Sequence, residues 1–191
     1  MFVLIIGGTQ AKMASAEPIH FYDPFGIATD TNNDLLVSAF FDNPSHTYSN
    51  GIFRINPTTG VSTIVSSGFD TATGIAVAPN GNIYVNDFLA HGGGINRITQ
   101  VNPLDGTQTI IVNGGIFPVG AGQLGGMAIA SDGGILATTA FYNGIQWEGG
   151  VVRTDPLTGS QSVIFSDPNL DLHGLSIESD GKLLVAATIK K

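Results

Sequence analysis

A hairpin-like segment that recurs four times constrains the fold more than any other feature of the chain. The clearest copy, residues 74–85, reads GIAVAPNGNIYV, two apolar runs joined by a Pro-Asn-Gly turn. Asn-Gly between alternating apolar residues is a strong hairpin signal, because both residues tolerate the positive φ that tight turns need. The copies begin at glycines spaced 48, 52 and 48 residues apart, which is typical of propeller blades or solenoid coils. We call these the leading glycines: Gly26, Gly74, Gly126 and Gly174.

Each complete copy carries a second predicted hairpin after the first. In the first copy, residues 52–55 run through an Asn-Pro-Thr-Thr-Gly turn into residues 61–65. Similar turns recur at residues 102–106 and 155–159, and the flanking segments alternate and are rich in β-branched residues, which favours strands. The repeating unit is therefore four antiparallel strands, labelled a to d in chain order.

An arginine recurs on strand c and aligns the copies. Arg54 and Arg153 stand three residues before the turn proline, and this recurrence favours a structural ion pair or a blade-to-blade hydrogen bond. The second copy holds three extra residues between Arg97 and its proline. Gln100 rather than Arg97 is then in register with the other two arginines, unless a bulge intervenes.

Four-stranded units at this period predict an all-β fold, a β-propeller whose strand a lines a central channel and whose strand d lies outermost. A parallel β-helix is the competing architecture, but its coils are usually shorter and lack adjacent hairpins. We predict one partial propeller domain over residues 1–191, with open blade edges that favour self-association. Its predicted segments are a last strand of an incomplete blade at 1–8, blades at 24–68, 72–115 and 124–167, and the first two strands of a final blade at 172–189.

The composition narrows the functional classes. The formal net charge is −8, which argues against a nucleic-acid or anionic-membrane surface. There are no cysteines, so disulfides and thiolate chemistry are excluded. No Gly-x-Ser-x-Gly motif or zinc-type histidine spacing is present, and the glycine-rich pieces precede strands rather than helices, which excludes a phosphate-binding loop.

The first residues allow two interpretations. The apolar run at residues 2–6 followed by Ala-Ser-Ala at 14–16 resembles a signal peptide, although no basic residue precedes the run. Alternatively, residues 2–8 form the last strand of an incomplete blade, because they resemble residues 109–115. We expect a secreted or periplasmic protein without a membrane span.

The two faces of the predicted disc differ in how uniform their connections are. The a-to-b and c-to-d turns share one face and are nearly identical between copies, which is typical of a scaffold. The b-to-c loops and d-to-a crossings lie on the other face and differ between copies, and variable loops on a rigid scaffold are the usual place for binding. The predicted ligand-binding residues on this loop face are His46, Tyr48, His91, Tyr142, Trp147 and Glu148.

These candidates also have structural interpretations. His46 and His91 fit solvated loop residues, and the glycines after His91 would pre-organise a metal poorly. Trp147 fits a lid over the blade edge as well as a surface that stacks a sugar ring. Asp87 fits a carboxylate that hydrogen-bonds neighbouring backbone N–H groups as well as a metal ligand.

The motif of residues 74–85 resembles the NHL-repeat propellers and, more broadly, the superfamily of gluconolactonase-like proteins and streptogramin lyases. The resemblance covers nearly all of the chain and implies a six-bladed or similar propeller. It also implies a divalent metal, Ca²⁺ or Mg²⁺, held at the channel mouth by a Glu with Asn or Asp residues. Asn86 and Asp87 match that set in part, and no blade shows its Glu. The lyases place a histidine before a leading glycine, and His173 fits that pattern.

Three functional hypotheses follow. The first is a scaffold that binds a protein, a small molecule or a carbohydrate through the loop face. The second is a metal-dependent lactonase or lyase, with His173 as the acid or base and Asp87 or Glu148 as a metal ligand. The third is a truncated fragment without independent function.

Overall fold

The computed structural model describes residues 21–42, 48–89, 94–117 and 125–190. The predicted N-terminal strand and signal peptide lie outside these residues. The described residues form fourteen strands and contain no helix long and apolar enough to cross a membrane. The strands are β1 (Phe21–Thr29), β2 (Leu35–Asp42), β3 (Tyr48–Ile55), β4 (Ser62–Phe69), β5 (Ala72–Val77), β6 (Ile83–Leu89), β7 (Ile95–Val101), β8 (Gln108–Asn113), β9 (Met127–Ile129), β10 (Ile135–Tyr142), β11 (Trp147–Thr154), β12 (Gln161–Asp167), β13 (Leu170–Ile177) and β14 (Leu183–Ile189).

The strands form three four-stranded antiparallel sheets and one pair. Blade 1 is β1 to β4, blade 2 is β5 to β8, blade 3 is β9 to β12, and β13 with β14 form a half-blade. Within each sheet the strands lie side by side in chain order, as expected for successive hairpins. The predicted all-β fold, a partial propeller of four-stranded blades, is confirmed.

The hydrophobic core lies between consecutive blades. Leu36 and Ile52 of blade 1 pack in one cluster with Ile75 and Val85 of blade 2. A second cluster joins blade 2 to blade 3 in the same way. Alternation along each strand explains this arrangement, because residues of one parity face the preceding blade and residues of the other parity face the following one. Each blade therefore depends on its neighbours for burial.

Two of the leading glycines lie where consecutive blades approach closely. A Cβ atom built at Gly26 would overlap the carbonyl oxygen of Thr73, and one at Gly126 would overlap the backbone nitrogen of Leu175. At Gly174 the nearest atom within 4 Å is the Cβ of Ala186, at 3.9 Å. The repeated glycine is therefore required at Gly26 and Gly126 by backbone packing, whereas the same position at Gly174 has room for a methyl group.

The strand register confirms the alignment of Gln100 with the two arginines. Arg54 and Arg153 lie opposite the second residue of their strand b, and Gln100 lies opposite Tyr84 at the equivalent place. The predicted ion pairs are also present: Arg54 Nε lies 2.9 Å from Asp30 Oδ2, and Arg153 Nη2 lies 2.7 Å from Asp132 Oδ2.

Candidate functional site

The four innermost strands surround a cleft of about 400 Å³ at the channel. Its walls come from the leading glycines and the residues on either side of them in each blade. The apolar part of the wall includes Ile75, Met127 and Leu175. Among the described residues that line the cleft, His173 is the ionisable one. The ring nitrogens of a histidine can donate or accept a hydrogen bond.

His173 is held at both its backbone and its ring. Its carbonyl oxygen accepts a hydrogen bond from Gly126 N, at 2.7 Å, and another from the Thr138 hydroxyl. Its imidazole Nε2 lies 3.0 Å from Thr188 Oγ1 on β14. The residue is thus fixed to blade 3 through its main chain and to the half-blade through its side chain. Its position before Gly174 places it on the cleft wall.

Thr138 is a site-supporting residue that the sequence interpretation missed. Its hydroxyl also accepts a hydrogen bond from Gly126 N, at 2.8 Å, so it joins the leading glycine of blade 3 to the half-blade. Ser38 does the same between blades 1 and 2: it accepts from Gly26 N at 2.8 Å and donates to Thr73 O at 3.0 Å. The sequence signal that could have identified Ser38 and Thr138 is a polar residue twelve positions after a leading glycine.

The Asp87 carboxylate is held by hydrogen bonds and an ion pair within the protein. The carboxylate is fully buried, and its Oδ1 accepts hydrogen bonds from the backbone nitrogens of Asp70, at 3.0 Å, and Thr71, at 2.9 Å. Its Oδ2 forms an ion pair with Arg97. Both oxygens that a metal would need are therefore engaged by protein donors. This is the alternative predicted for Asp87, in which the carboxylate binds backbone N–H groups.

Asn86 does not complete a metal site either. Its side-chain nitrogen donates to Thr73 Oγ1 at 2.6 Å and to Asn96 Oδ1 at 3.3 Å, inside the sheet packing. Across the described ranges, no three His, Asp or Glu side chains come together as a metal would require. The buried Oδ1 of Asn86 accepts no hydrogen bond, but both oxygens of Asp87 are occupied, so the pair as placed does not supply the ligand set that the family resemblance implies for a divalent metal.

The aromatic candidates form a separate surface on blade 3. Tyr142 and Trp147 face each other across the β10–β11 hairpin, with ring centroids 5.8 Å apart, and both are exposed. Glu148 Oε1 accepts a hydrogen bond from Asn143 Nδ2 at 2.5 Å. None of these side chains lines the cleft that contains His173. His46 and His91 lie outside the described residues, and Tyr48 begins β3 but its side chain is not described.

The carboxylates of the turn face have local partners. A hydrogen bond from Arg153 is the main cause that lowers the pKa of Asp132, and the Thr107 backbone N–H lowers the pKa of Asp105. Asp155 and Asp180 have lowered pKa values for similar reasons, through Leu157 N–H and Lys182 respectively. These interactions stabilise the turns themselves, which supports the prediction that this face is scaffold.

The fold and the cleft together define a partial β-propeller with a small-ligand-sized opening at its channel. Similar solved structures include a proposed gluconolactonase (TM-score 0.57, 18% identity, covering 87% of this chain and 59% of that chain). A proposed 6-phosphogluconolactonase from Bacteroides uniformis is also similar (TM-score 0.52, 15% identity, covering 88% and 47%). A third is the PQQ-bound aldose sugar dehydrogenase from Streptomyces coelicolor (TM-score 0.56, 18% identity, covering 91% and 61%).

These likenesses confirm the suspected gluconolactonase-like propeller at the level of the fold. The chain spans between 47% and 61% of the length of the three structures. No protein-family model matches the sequence, and no curated protein matches it.

Proposed function

We propose that the channel cleft binds a small sugar-derived molecule and that His173 transfers a proton during hydrolysis of a sugar lactone. The observation that carries this proposal is the position of His173, which lines a cleft of about 400 Å³ and whose imidazole is hydrogen-bonded to Thr188. That volume lies within the usual range for small-molecule sites. The names of the similar structures, two lactonases and a sugar dehydrogenase, support the same ligand class.

The proposed reaction adds water to the lactone carbonyl and opens the ring to a hydroxy acid. His173 takes a proton from the attacking water and returns one to the departing ring oxygen, which is general acid–base catalysis. Thr188 is hydrogen-bonded to Nε2 of His173, so Nδ1 is the nitrogen that takes up and releases the transferred proton in this scheme. Among the residues that the structure describes, no group of three His, Asp or Glu side chains lies at the cleft, and no step of the proposal uses a metal.

The test is the hydrolysis of glucono-lactone, followed in a pH-stat after subtraction of the uncatalysed rate. His173→Ala is expected to lower kcat by about 100-fold or more, the usual contribution of a positioned acid or base. Asp171→Asn is the matched control, because Asp171 lies two residues away on the same strand, pairs with Lys190 and does not line the cleft. Equal rates for His173→Ala and the unmodified chain would contradict the proposal.

A second candidate function rests on the loop face of blade 3. The exposed Tyr142–Trp147 pair beside Glu148 offers an aromatic surface and a hydrogen-bond acceptor, which is the chemistry of a carbohydrate- or protein-binding loop. In this role the propeller is a binding scaffold, and the cleft takes no part in binding.

A further inference from the structure

The loop between β10 and β11 contains an Asn-Gly pair whose side-chain amide is hydrogen-bonded at both of its ends. Asn143 Oδ1 accepts hydrogen bonds from the backbone nitrogens of Ile145, at 2.8 Å, and Gln146, at 2.9 Å. Asn143 Nδ2 donates to Glu148 Oε1 at 2.5 Å. Two N–H donors therefore hold the amide oxygen, and a carboxylate holds the amide nitrogen.

Gly144 places a free backbone nitrogen next to this amide. Its φ is +97°, a conformation that favours glycine, so the turn itself calls for a glycine after Asn143. Both residues are exposed, and within the described part of the chain the Gly144 N–H donates to no acceptor. The Gly144 nitrogen is thus available to attack the Asn143 side chain, and no Cβ of its own hinders the approach.

The other three Asn-Gly pairs of the sequence lack this combination of contacts. In the pairs at residues 80–81 and 113–114, the glycine N–H donates to a backbone carbonyl, at 2.8 and 2.9 Å respectively. The amide oxygen of Asn80 accepts a single backbone hydrogen bond, at 3.1 Å. The pair at residues 50–51 is buried inside β3. Asn143 is therefore distinguished from the other three by its own contacts and not by its dipeptide sequence.

We propose that Asn143 is a self-catalysed deamidation site. In the first step the Gly144 backbone nitrogen attacks Asn143 Cγ and closes a five-membered succinimide ring. The proton of that nitrogen passes through water to Nδ2, the Cγ–Nδ2 bond breaks, and ammonia leaves. In the second step water adds to either ring carbonyl and the carbon–nitrogen bond at that carbonyl breaks, which gives an aspartyl or an isoaspartyl residue. An amide and water thus become a carboxylic acid and ammonia, without oxidation or reduction.

The hydrogen bonds of the Asn143 amide stabilise both charges that develop in the first step. Attack at Cγ places negative charge on Oδ1, where the N–H groups of Ile145 and Gln146 act as the donors of an oxyanion hole do. The departing nitrogen gains a proton before it leaves, and the Glu148 carboxylate stabilises that positive charge through a charge-assisted hydrogen bond. The loop therefore supplies the groups that accelerate its own modification.

Deamidation would also change the aromatic surface beside this loop. An isoaspartyl residue lengthens the main chain after Tyr142 by one carbon, and the new carboxylate lies against the Glu148 carboxylate instead of donating to it. Both changes oppose the pairing of Tyr142 with Trp147, which closes the hairpin. The modification would thus weaken the loop-face candidate for binding as the protein ages, while the channel cleft stays unchanged.

The test follows the Asn-Gly pairs in one sample of the full chain incubated at neutral pH, with peptide mass spectrometry to locate each deamidated residue. A second sample is incubated in urea, where the exposed loop contacts are lost. We expect Asn143 of the folded chain to convert at least about tenfold faster than Asn80, and at least as fast as Asn143 converts in urea. Asn80 is the internal control, since it is also an exposed Asn-Gly residue in a hairpin turn. Slower conversion of Asn143 in the folded chain than in urea, or a rate no higher than that of Asn80, overturns the proposal.

Glu148→Gln tests whether the carboxylate assists the reaction, because glutamine keeps a hydrogen-bond acceptor but loses the charge. This variant is expected to deamidate Asn143 several-fold more slowly than the parent chain does. Asp171→Asn is the matched control, since it removes a carboxylate that pairs with Lys190 and is not a hydrogen-bond partner of Asn143. Equal rates at Asn143 in the two variants would contradict self-catalysis through Glu148.

The fluorescence of Trp147 tests the effect on the aromatic surface, because Trp147 is the one tryptophan of the chain. The emission of the parent chain should change in step with the conversion of Asn143. The emission of Asn143→Gln, incubated in the same way, should stay constant. An emission spectrum of the parent chain that is unchanged after conversion would contradict the proposed effect on the Tyr142–Trp147 pair.

Discussion

Gly126→Ala is expected to destabilise the folded chain by about 3 kcal/mol, the upper part of the usual range for overpacking. The added methyl group would overlap the backbone nitrogen of Leu175 and approach the carbonyl carbon of Gly174 to 2.8 Å. Backbone atoms cannot turn away as a flexible side chain can, so blade 3 and the half-blade would have to separate. The separation would also weaken the hydrogen bond from Gly126 N to His173 O.

Gly174→Ala is the matched control for this prediction. It changes a leading glycine in the same motif, but the nearest atom to the new methyl group is the Cβ of Ala186, at 3.9 Å. Alanine restricts the unfolded chain, so this variant should be unchanged or more stable by about 0.4–1 kcal/mol. Urea unfolding followed by circular dichroism measures both values. Equal destabilisation by the two substitutions would show that the leading glycine is needed for its own backbone conformation and not for blade packing.

Asp87→Ala is expected to cost about 3–5 kcal/mol of unfolding free energy, as measured by urea denaturation. The substitution removes the acceptor of two backbone N–H groups and leaves the partly buried Arg97 guanidinium without its ion-pair partner. Breaking a buried pair in this way is costly because the remaining charge stays desolvated.

Asp132→Ala is the comparison variant for Asp87, because it also removes an aspartate that pairs with a strand-c arginine. The Asp132 side chain is 65% exposed, and water replaces the lost interaction, so the unfolding midpoint should change far less. A second result separates the structural role from a metal site. Stabilisation of the parent chain by millimolar Ca²⁺ that disappears in Asp87→Ala would contradict the structural assignment.

The blades could be predicted from the sequence because their signals are local. Period-two alternation and the Asn-Gly and Pro-to-Gly turns each determine a hairpin within a dozen residues, and the hairpin order then follows. The register of Gln100 could be predicted from the sequence for the same reason, since it depends on counting residues to the next turn. The identity of the innermost strand follows from the repeat as well.

The site could be predicted less completely from the sequence, because its contacts join residues of different blades. The sequence shows that His173 precedes a leading glycine, but not that Thr138, thirty-five residues earlier, fixes its carbonyl group. Asp87 reads equally well as a metal ligand or as a hydrogen-bond acceptor until Arg97 is placed opposite it on β7. Tyr142 and Trp147 belong to a hairpin loop, and alternation along strands carries no information about whether such a loop faces the channel.

We propose the channel cleft, and not the loop face, as the ligand site. The most direct measurement is a titration of the ¹⁵N-labelled chain with gluconate, followed by ¹H–¹⁵N correlation spectra. We expect saturable shifts at the amides of Gly74, Gly126 and Gly174, which line the cleft with His173. Shifts confined to residues 142–148 would assign binding to the aromatic surface instead, and a spectrum without shifts would contradict the sugar-acid ligand class.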